Sequence, residues 1–152
     1  MEELRVGIVG SRRRNSLYDR SIVFGLIETL VQQNPHRRLV IVSGACPKGA
    51  DSFAAESARS HGLGLVEYPV PPVKYGSKWE FRQAAFSRNR LIAEDSHVGF
   101  ALVSEDRTGG TENTIAHYVV MEKNVFIVER DGNVRYLSGV AVPSLLDPDR
   151  RI

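Results

Sequence analysis

The chain has 152 residues, of which 42% are hydrophobic and 25% charged, the composition of one ordinary globular domain. Its formal net charge of +2 and isoelectric point of about 8.8 are too weakly basic to argue for nucleic-acid binding by themselves. No apolar run approaches the roughly 20 residues that a membrane-spanning helix needs, and the first residues lack the pattern of a signal peptide, so we expect no membrane partner.

Strand-like and helix-like patterns alternate in the first half of the chain. Pro35 disfavours continuation of the helix before it, and Gly62 is well placed to end the next helix. In chain order, the predicted elements are a strand at Leu4 to Val9, a helix from Ile22 to Asn34, a strand at Leu39 to Val42, a helix at Asp51 to His61 and a strand at Leu63 to Tyr68.

The same alternation continues in the second half, and a short hairpin around Asp131-Gly132 and an irregular tail follow it. The pattern predicts a single domain over 1–152, with its core at about 4–128 and the hairpin and tail at 129–152. Its fold class is α/β: a Rossmann-like open parallel sheet of about five strands with helices on both faces. The predicted elements here are one long helix or two helical pieces at Trp79 to Asp95, a strand at His97 to Val103, a helix at Thr111 to Glu122 and a strand at Val125 to Val128.

Three of the predicted strands end in turns rich in glycine and hydroxyl side chains. Ligands of open α/β sheets bind beyond the carboxyl ends of the strands, where glycine lets backbone N–H groups approach an anion. The helix that follows each turn directs its first N–H groups toward the same crevice. We therefore predict a phosphate-binding site formed by the turns Gly10-Ser11-Arg12, Ser43-Gly44-Ala45 and Thr108-Gly109-Gly110-Thr111.

Several residues in or near these turns can be interpreted either as structural residues or as ligand contacts. Thr111 is expected to cap its helix and could also bind a phosphate. Asp51 is either an N-cap or a ligand contact, and Arg88 either binds an anion in the crevice or lies at the surface. Glu112 stands in the first helical turn, where a carboxylate is favourable for the helix dipole alone. Cys46 is the only cysteine, so we expect no intramolecular disulfide and a cytoplasmic location. We expect its thiol to be small and buried; the alternative is a catalytic thiol, since Cys46 lies in a glycine-rich loop.

Several other chemistries are not indicated. The chain has no GxGxxG fingerprint, no GxxxxGK[ST] loop and no Gly-x-Ser-x-Gly elbow. The four histidines do not form a spaced metal cluster with Cys46. We therefore expect neither a metal nor a cofactor.

Four motifs occur in an order that resembles the SLOG superfamily of Rossmann-like proteins. The resemblance spans roughly Val6 to Val128, and four motifs in the correct order are a strong match where each alone is unspecific. This group includes the DNA-processing (DprA/Smf) proteins, the LOG phosphoribohydrolases and small stand-alone YspA-type proteins. The motifs are GSR at Gly10 to Arg12, SGACPKGAD at Ser43 to Asp51, SRNR at Ser87 to Arg90 and GGT at Gly109 to Thr111.

The YspA-type subgroup looks closest, because Tyr68-Pro69, Trp79, Arg88-Asn89 and Gly110-Thr111 stand in its characteristic places. By that resemblance the ligand is a nucleotide or a nucleotide derivative, with its phosphate near the glycine-rich loops. The expected ligand-binding residues are Gly10, Ser11, Arg12, Ser43, Gly44, Ala45, Gly49, Asp51, Arg88, Asn89, Gly109, Gly110 and Thr111.

Three functions follow from the resemblance. The first is a sensor or binding domain for a nucleotide-derived molecule. The second is LOG-like cleavage of the N-glycosidic bond of nucleoside monophosphates, but the position of the LOG catalytic glutamate holds Thr114, and Glu112 points to a different side of the helix. The third is DNA-processing-like binding of single-stranded nucleic acid, motivated by the clusters Arg12 to Arg14 and Arg88 to Arg90; the chain lacks an obvious aromatic ladder for it.

A homodimer is also expected. The third and fourth predicted helices carry more apolar residues than one sheet face obviously needs, and proteins that resemble this one commonly pair through such helices. The alternative is that these side chains pack against the Pro69 to Ser77 loop and the C-terminal tail. The apolar residues concerned are Phe81, Ala84, Ala85, Phe86, Leu91, Ile92, Ile115, Tyr118, Val119, Val120 and Met121.

Overall fold

The computed structural model describes residues 2–137 and shows the alternating α/β order that the sequence predicts. The third helix is one continuous helix rather than two pieces. None of the helices in this part of the chain is both long and apolar enough to cross a bilayer. The elements are β1 (Glu2–Gly10), α1 (Leu17–Gln33), β2 (Arg37–Gly44), α2 (Ala50–Ser60), β3 (Gly64–Tyr68), α3 (Lys78–Asp95), β4 (Val98–Leu102), α4 (Gly110–Val120), β5 (Asn124–Val128) and β6 (Val134–Tyr136).

The strands form one sheet in the order β3-β2-β1-β4-β5-β6. The first five of these are parallel, which confirms the predicted Rossmann-like sheet, and β6 adds a short antiparallel edge to β5. The predicted hairpin is present: Gly132 has a φ of +88°, and its N–H donates to the carbonyl of Glu129. The predicted tail beyond residue 137 lies outside the described residues.

Apolar side chains alternate between the two faces of the sheet, as expected for strands buried on both sides. Val6 and Ile8 of β1 pack with α1 and α2, whereas Val9 packs on the other face with residues of α3 and α4. Helices therefore cover both faces, as predicted. The signals predicted to end α1 and α2 are also correct, because α1 has its C-cap at Asn34, immediately before Pro35, and Gly62 follows α2 with a φ of +64°.

The apolar residues of α3 and α4 include a buried set and an exposed set, and the others are half-buried. Ile92, Ile115 and Tyr118 are buried in the core of the chain itself, so they are not available to a second copy. The phenol ring of Tyr118 lies so close to Gly7 and Gly99 that neither position has room for a Cβ. A second set stays exposed, and pairing through it remains a prediction; its members are Phe81, Leu91, Val119 and Val120.

Candidate functional site

A cleft of about 700 Å³ opens at the carboxyl edge of the sheet. The chain runs outward from β1 to β2 and β3 on one side, then returns to place β4 and β5 on the other, so the strand order reverses beside β1. Such a reversal is where open α/β sheets bind ligands. The cleft lies there, between the loops that follow β1 and β4 and one face of α3. It is lined by most of the predicted residues: Gly10, Ser11, Arg12, Asp51, Arg88, Asn89, Gly109, Gly110 and Thr111.

The other predicted residues, all in the loop after β2 or at its end, do not line the cleft. Ser43 is buried and Ala45 is exposed. Gly44 gives space to its neighbours, since a Cβ there would lie 2.5 Å from Oδ2 of Asp51 and 2.7 Å from Nη1 of Arg88. Gly49 is the N-cap of α2, with a φ of +76°. Cys46 of the same loop does line the cleft and is half-buried, so the prediction of a buried thiol is wrong.

Asp51 is not the N-cap of α2, because the helix already begins at Ala50. Its carboxylate is buried at the base of the cleft, where Oδ1 accepts from Ser43 Oγ (3.0 Å) and Oδ2 accepts from the backbone N–H of Cys46 (3.3 Å). Burial raises the pKa of Asp51, although the Ser43 hydroxyl and the charge of Arg88 act in the opposite direction.

The hydroxyl of Ser43 faces two acceptors with one proton. Its Oγ lies 2.7 Å from the carbonyl oxygen of Ile8 and 3.0 Å from Oδ1 of Asp51. The hydroxyl therefore shares its one proton between the carbonyl and the carboxylate, as a three-centre hydrogen bond. This bond acts to lower the pKa of Asp51, but the effect of burial is larger and the pKa is raised.

The structure places Arg88 at the cleft rather than on the outer surface. Its Nε donates to Oδ1 of Asn89 (2.9 Å) and its Nη1 donates to the carbonyl of Tyr68 (3.1 Å). These bonds hold the guanidinium beside Asp51. Among the described residues Nη2 of Arg88 has no hydrogen-bond partner, so this nitrogen is available to an anion in the cleft.

Asn89 connects α3 to the beginning of α4. Its Nδ2 donates to the carbonyl of Gly110 and to Oδ1 of Asn113, both at 3.2 Å, while its Oδ1 accepts from Arg88. The side chain is buried, and these bonds use most of its hydrogen-bonding capacity. Asn89 therefore positions the cleft walls.

The N-terminus of α4 faces the cleft without a side-chain cap. Its N-cap is Gly109, with a φ of +105°, and no side chain accepts from the first N–H groups of the helix. The prediction that Thr111 caps this helix is therefore wrong, since Thr111 stands one residue after the helix begins. Open N–H groups at a helix start carry a partial positive charge and bind anions.

The acidic residues predicted near this loop do not supply a carboxylate to it. Glu112 pairs with Arg107 (2.9 Å) and does not line the cleft. Thr114, at the position of the LOG glutamate, does line the cleft, but its Oγ1 donates to the carbonyl of Gly110 (3.3 Å). Asp51 is the one carboxylate among the lining residues.

The arginines after β1 have three different environments. Arg14 is buried and pairs with Asp19 (2.9 Å). Arg13 reaches across to the loop after β4, where it pairs with Asp106 (2.8 Å) and holds the pKa of that carboxyl well below its usual range. The side chain of Arg12 is exposed at the cleft and has no partner in the described part of the chain. Only Arg12 of this cluster is free to meet a ligand.

Half of the cleft lining lies outside the thirteen residues expected from the sequence to bind the ligand. The largest missed group lies on α3, where Arg82, Ala85 and Phe86 precede the predicted pair Arg88-Asn89. Helical spacing was the available signal, because positions 82, 85, 86 and 89 share one face of a helix. The remaining residues are Val9, Arg13, Cys46, Ile92, Thr108 and Thr114.

Comparison with known proteins adds no assignment to this geometry. No protein-family model matches the chain, and no curated protein is similar to it in sequence. Within residues 2–137, no group of three or more His, Cys, Asp or Glu side chains is arranged to hold a metal ion.

Proposed function

We propose that the cleft binds a nucleotide or a nucleotide-derived phosphate ligand, with a phosphate at the N-terminus of α4. The observation that carries this proposal is the uncapped start of α4, at Gly109, which opens on the cleft beside unpaired arginine side chains. An N-terminal helix turn with free N–H groups favours a phosphate over a neutral group.

The charges around the cleft support an anionic ligand. Arg12 and Arg82 make no ion pair within the described part of the chain, and Arg88 keeps its Nη2 free. The opposing charge is the single carboxylate of Asp51, whose raised pKa weakens its repulsion of an anion. The cleft volume of about 700 Å³ falls within the range of roughly 300–1,000 Å³ that small-molecule sites occupy.

The experiment is a thermal-shift and calorimetric titration with AMP, ADP-ribose and inorganic phosphate. Binding at 100 times the dissociation constant should stabilise the protein by about 2.7 kcal/mol. The variant Arg12→Gln should weaken binding, whereas Arg38→Gln should leave it unchanged. Arg38 is the matched control, since it is exposed at the beginning of β2, the opposite edge of the sheet. A panel without any shift, or equal effects of the two variants, would contradict the proposal.

A second candidate function is hydrolysis of the N-glycosidic bond of a nucleoside monophosphate. Asp51 favours it, because a buried carboxyl with a raised pKa in a cleft suits a proton donor. Binding remains the preferred function, since both Asp51 oxygens already hold Ser43 and Cys46 in place. Chromatography of AMP incubated with the protein separates the two: released base that disappears in Asp51→Asn supports hydrolysis, and intact AMP under binding conditions rejects it.

A further inference from the structure

One face of α3 forms a wall of the cleft with mixed chemistry. Arg82, Ala85, Phe86, Asn89 and Ile92 all line the cleft, and their spacing of three, four, seven and ten residues places them on one helical stripe. The stripe begins with the cation of Arg82 and ends with the buried amide of Asn89 and the core side chain of Ile92. Between these ends, Ala85 and Phe86 give the wall an apolar section.

A second part of the lining is different in kind. It consists of the turn Gly10 to Arg13 and the turn Thr108 to Thr111, which offer backbone N–H groups, hydroxyls and guanidinium groups. A ligand that satisfies both parts of the lining needs an anionic group at one and an apolar, planar or compact group at the other. Inorganic phosphate alone would leave the apolar wall in contact with water.

Phe86 has the environment of a contact surface rather than of a core side chain. It is partly exposed at the cleft, and it belongs to neither hydrophobic cluster of the described residues. No aromatic ring within residues 2–137 stacks on it. Nearby on the same helix, Phe81 is 52% exposed but does not line the cleft. Phe86 thus lies at the cleft, whereas Phe81 is exposed outside it.

We propose that Phe86, backed by Ala85, is the platform on which the ring of a nucleobase stacks, while the phosphate lies toward α4. This inference rests on the proposed function and deepens it, because it assigns a ring subsite and a direction to the ligand. Stacking on an aromatic side chain tolerates any base, since every base presents a π-face. The subsite therefore selects a nucleotide over a sugar phosphate, without selecting one base.

The test compares AMP with ribose 5-phosphate, which has the same sugar phosphate and no base. Wild-type protein should bind AMP more tightly. Phe86→Ala should weaken AMP binding by about tenfold, within the range measured for base–aromatic stacking, and should change ribose 5-phosphate binding by less than about twofold. Phe86→Trp should keep the preference for AMP, and Phe81→Ala, the matched control, should change neither affinity.

The outcomes separate the two proposals. If the wild type binds neither compound, the proposed function fails. If it binds both equally, or if Phe86→Ala weakens both to the same extent, phosphate binding stands and the ring subsite is wrong. Thermal unfolding of each variant establishes that it is folded, and Phe86→Leu replaces the alanine variant if that variant unfolds; the leucine side chain keeps volume without an aromatic face and should also lose the preference.

Discussion

The four helices begin at the same edge of the sheet in two different ways. The N-caps of α1 and α3 are Ser16 and Ser77, and each serine forms a capping box with the acidic residue three positions later. The N-caps of α2 and α4 are Gly49 and Gly109, and neither helix has a side-chain cap. The cleft is lined by first-turn residues of the two glycine-started helices, and by neither capping serine.

The capped starts of α1 and α3 stabilise their helices, whereas the uncapped starts of α2 and α4 contribute residues to the cleft. A capping box satisfies two of the first N–H groups internally and leaves fewer of them for a ligand. A glycine N-cap gives up that stabilisation but keeps the N–H groups accessible. The two glycine starts also differ from each other, because the N–H of Gly49 donates to Oδ1 of Asn15 (2.8 Å), whereas the start of α4 faces the open cleft.

The largest effect is expected for Gly49→Ala. Gly49 has a φ of +76° and a ψ of −151°, a backbone region that is essentially restricted to glycine, and a Cβ would lie 3.0 Å from the carbonyl oxygen of Ser11. Strain and crowding together should lower the free energy of unfolding by about 3 kcal/mol. Urea unfolding measures this loss. A change below about 1 kcal/mol would show that the loop adapts without strain.

A smaller loss of stability is expected for Gly109→Ala, together with a loss of binding. Gly109 occupies the same backbone region, with a φ of +105° and a ψ of −170°, but an added Cβ meets open space. We expect a loss of about 1–2 kcal/mol in stability from strain alone. Affinity for AMP should fall as well, because the strain shifts the start of α4 and the added methyl group occupies the space through which a phosphate reaches its N–H groups.

Ser77→Ala is the control for that variant. It removes the cap of α3, so stability should fall by about 1 kcal/mol while AMP affinity stays unchanged. If both variants lose AMP affinity in proportion to their loss of stability, the open start of α4 has no specific role in binding. If Gly109→Ala alone loses binding, the open start of α4 is part of the site.

The smallest effect concerns the pH dependence of stability through Asp51. Burial raises the pKa of this carboxyl above its ordinary value of 3.8, so the stability that its protonated form contributes is lost as the pH rises through the raised pKa. Asp51→Asn removes this loss and keeps partners for Ser43 and Cys46. The stability of the variant relative to wild type should therefore increase as the pH rises from the ordinary pKa of 3.8 to the raised pKa. Urea unfolding at several pH values checks it, and a constant difference would contradict the raised pKa.

The sequence predicted the fold more completely than the site. Alternating apolar segments identified all five parallel strands and four helices, because burial on both sheet faces imposes a regular pattern. Helix starts were less well predicted: Asp51 and Thr111 suggested caps, while the N-caps of those helices are Gly49 and Gly109. The capping boxes at Ser16 and Ser77, each a serine followed three residues later by an acid, were not predicted.

The sequence by itself determined the layers, the parallel sheet and the glycine-rich strand ends, since these depend on local periodicity and on residue types that act over a few positions. Only the tertiary structure decided which side chains meet. It paired Arg13 with Asp106 and Arg14 with Asp19, leaving Arg12 free, although the three arginines are adjacent and identical in sequence. It also brought Phe86 of α3 to a cleft formed by the loops after β1 and β4. Such contacts join residues far apart in the chain, so strand order and helix packing, rather than local pattern, determine them.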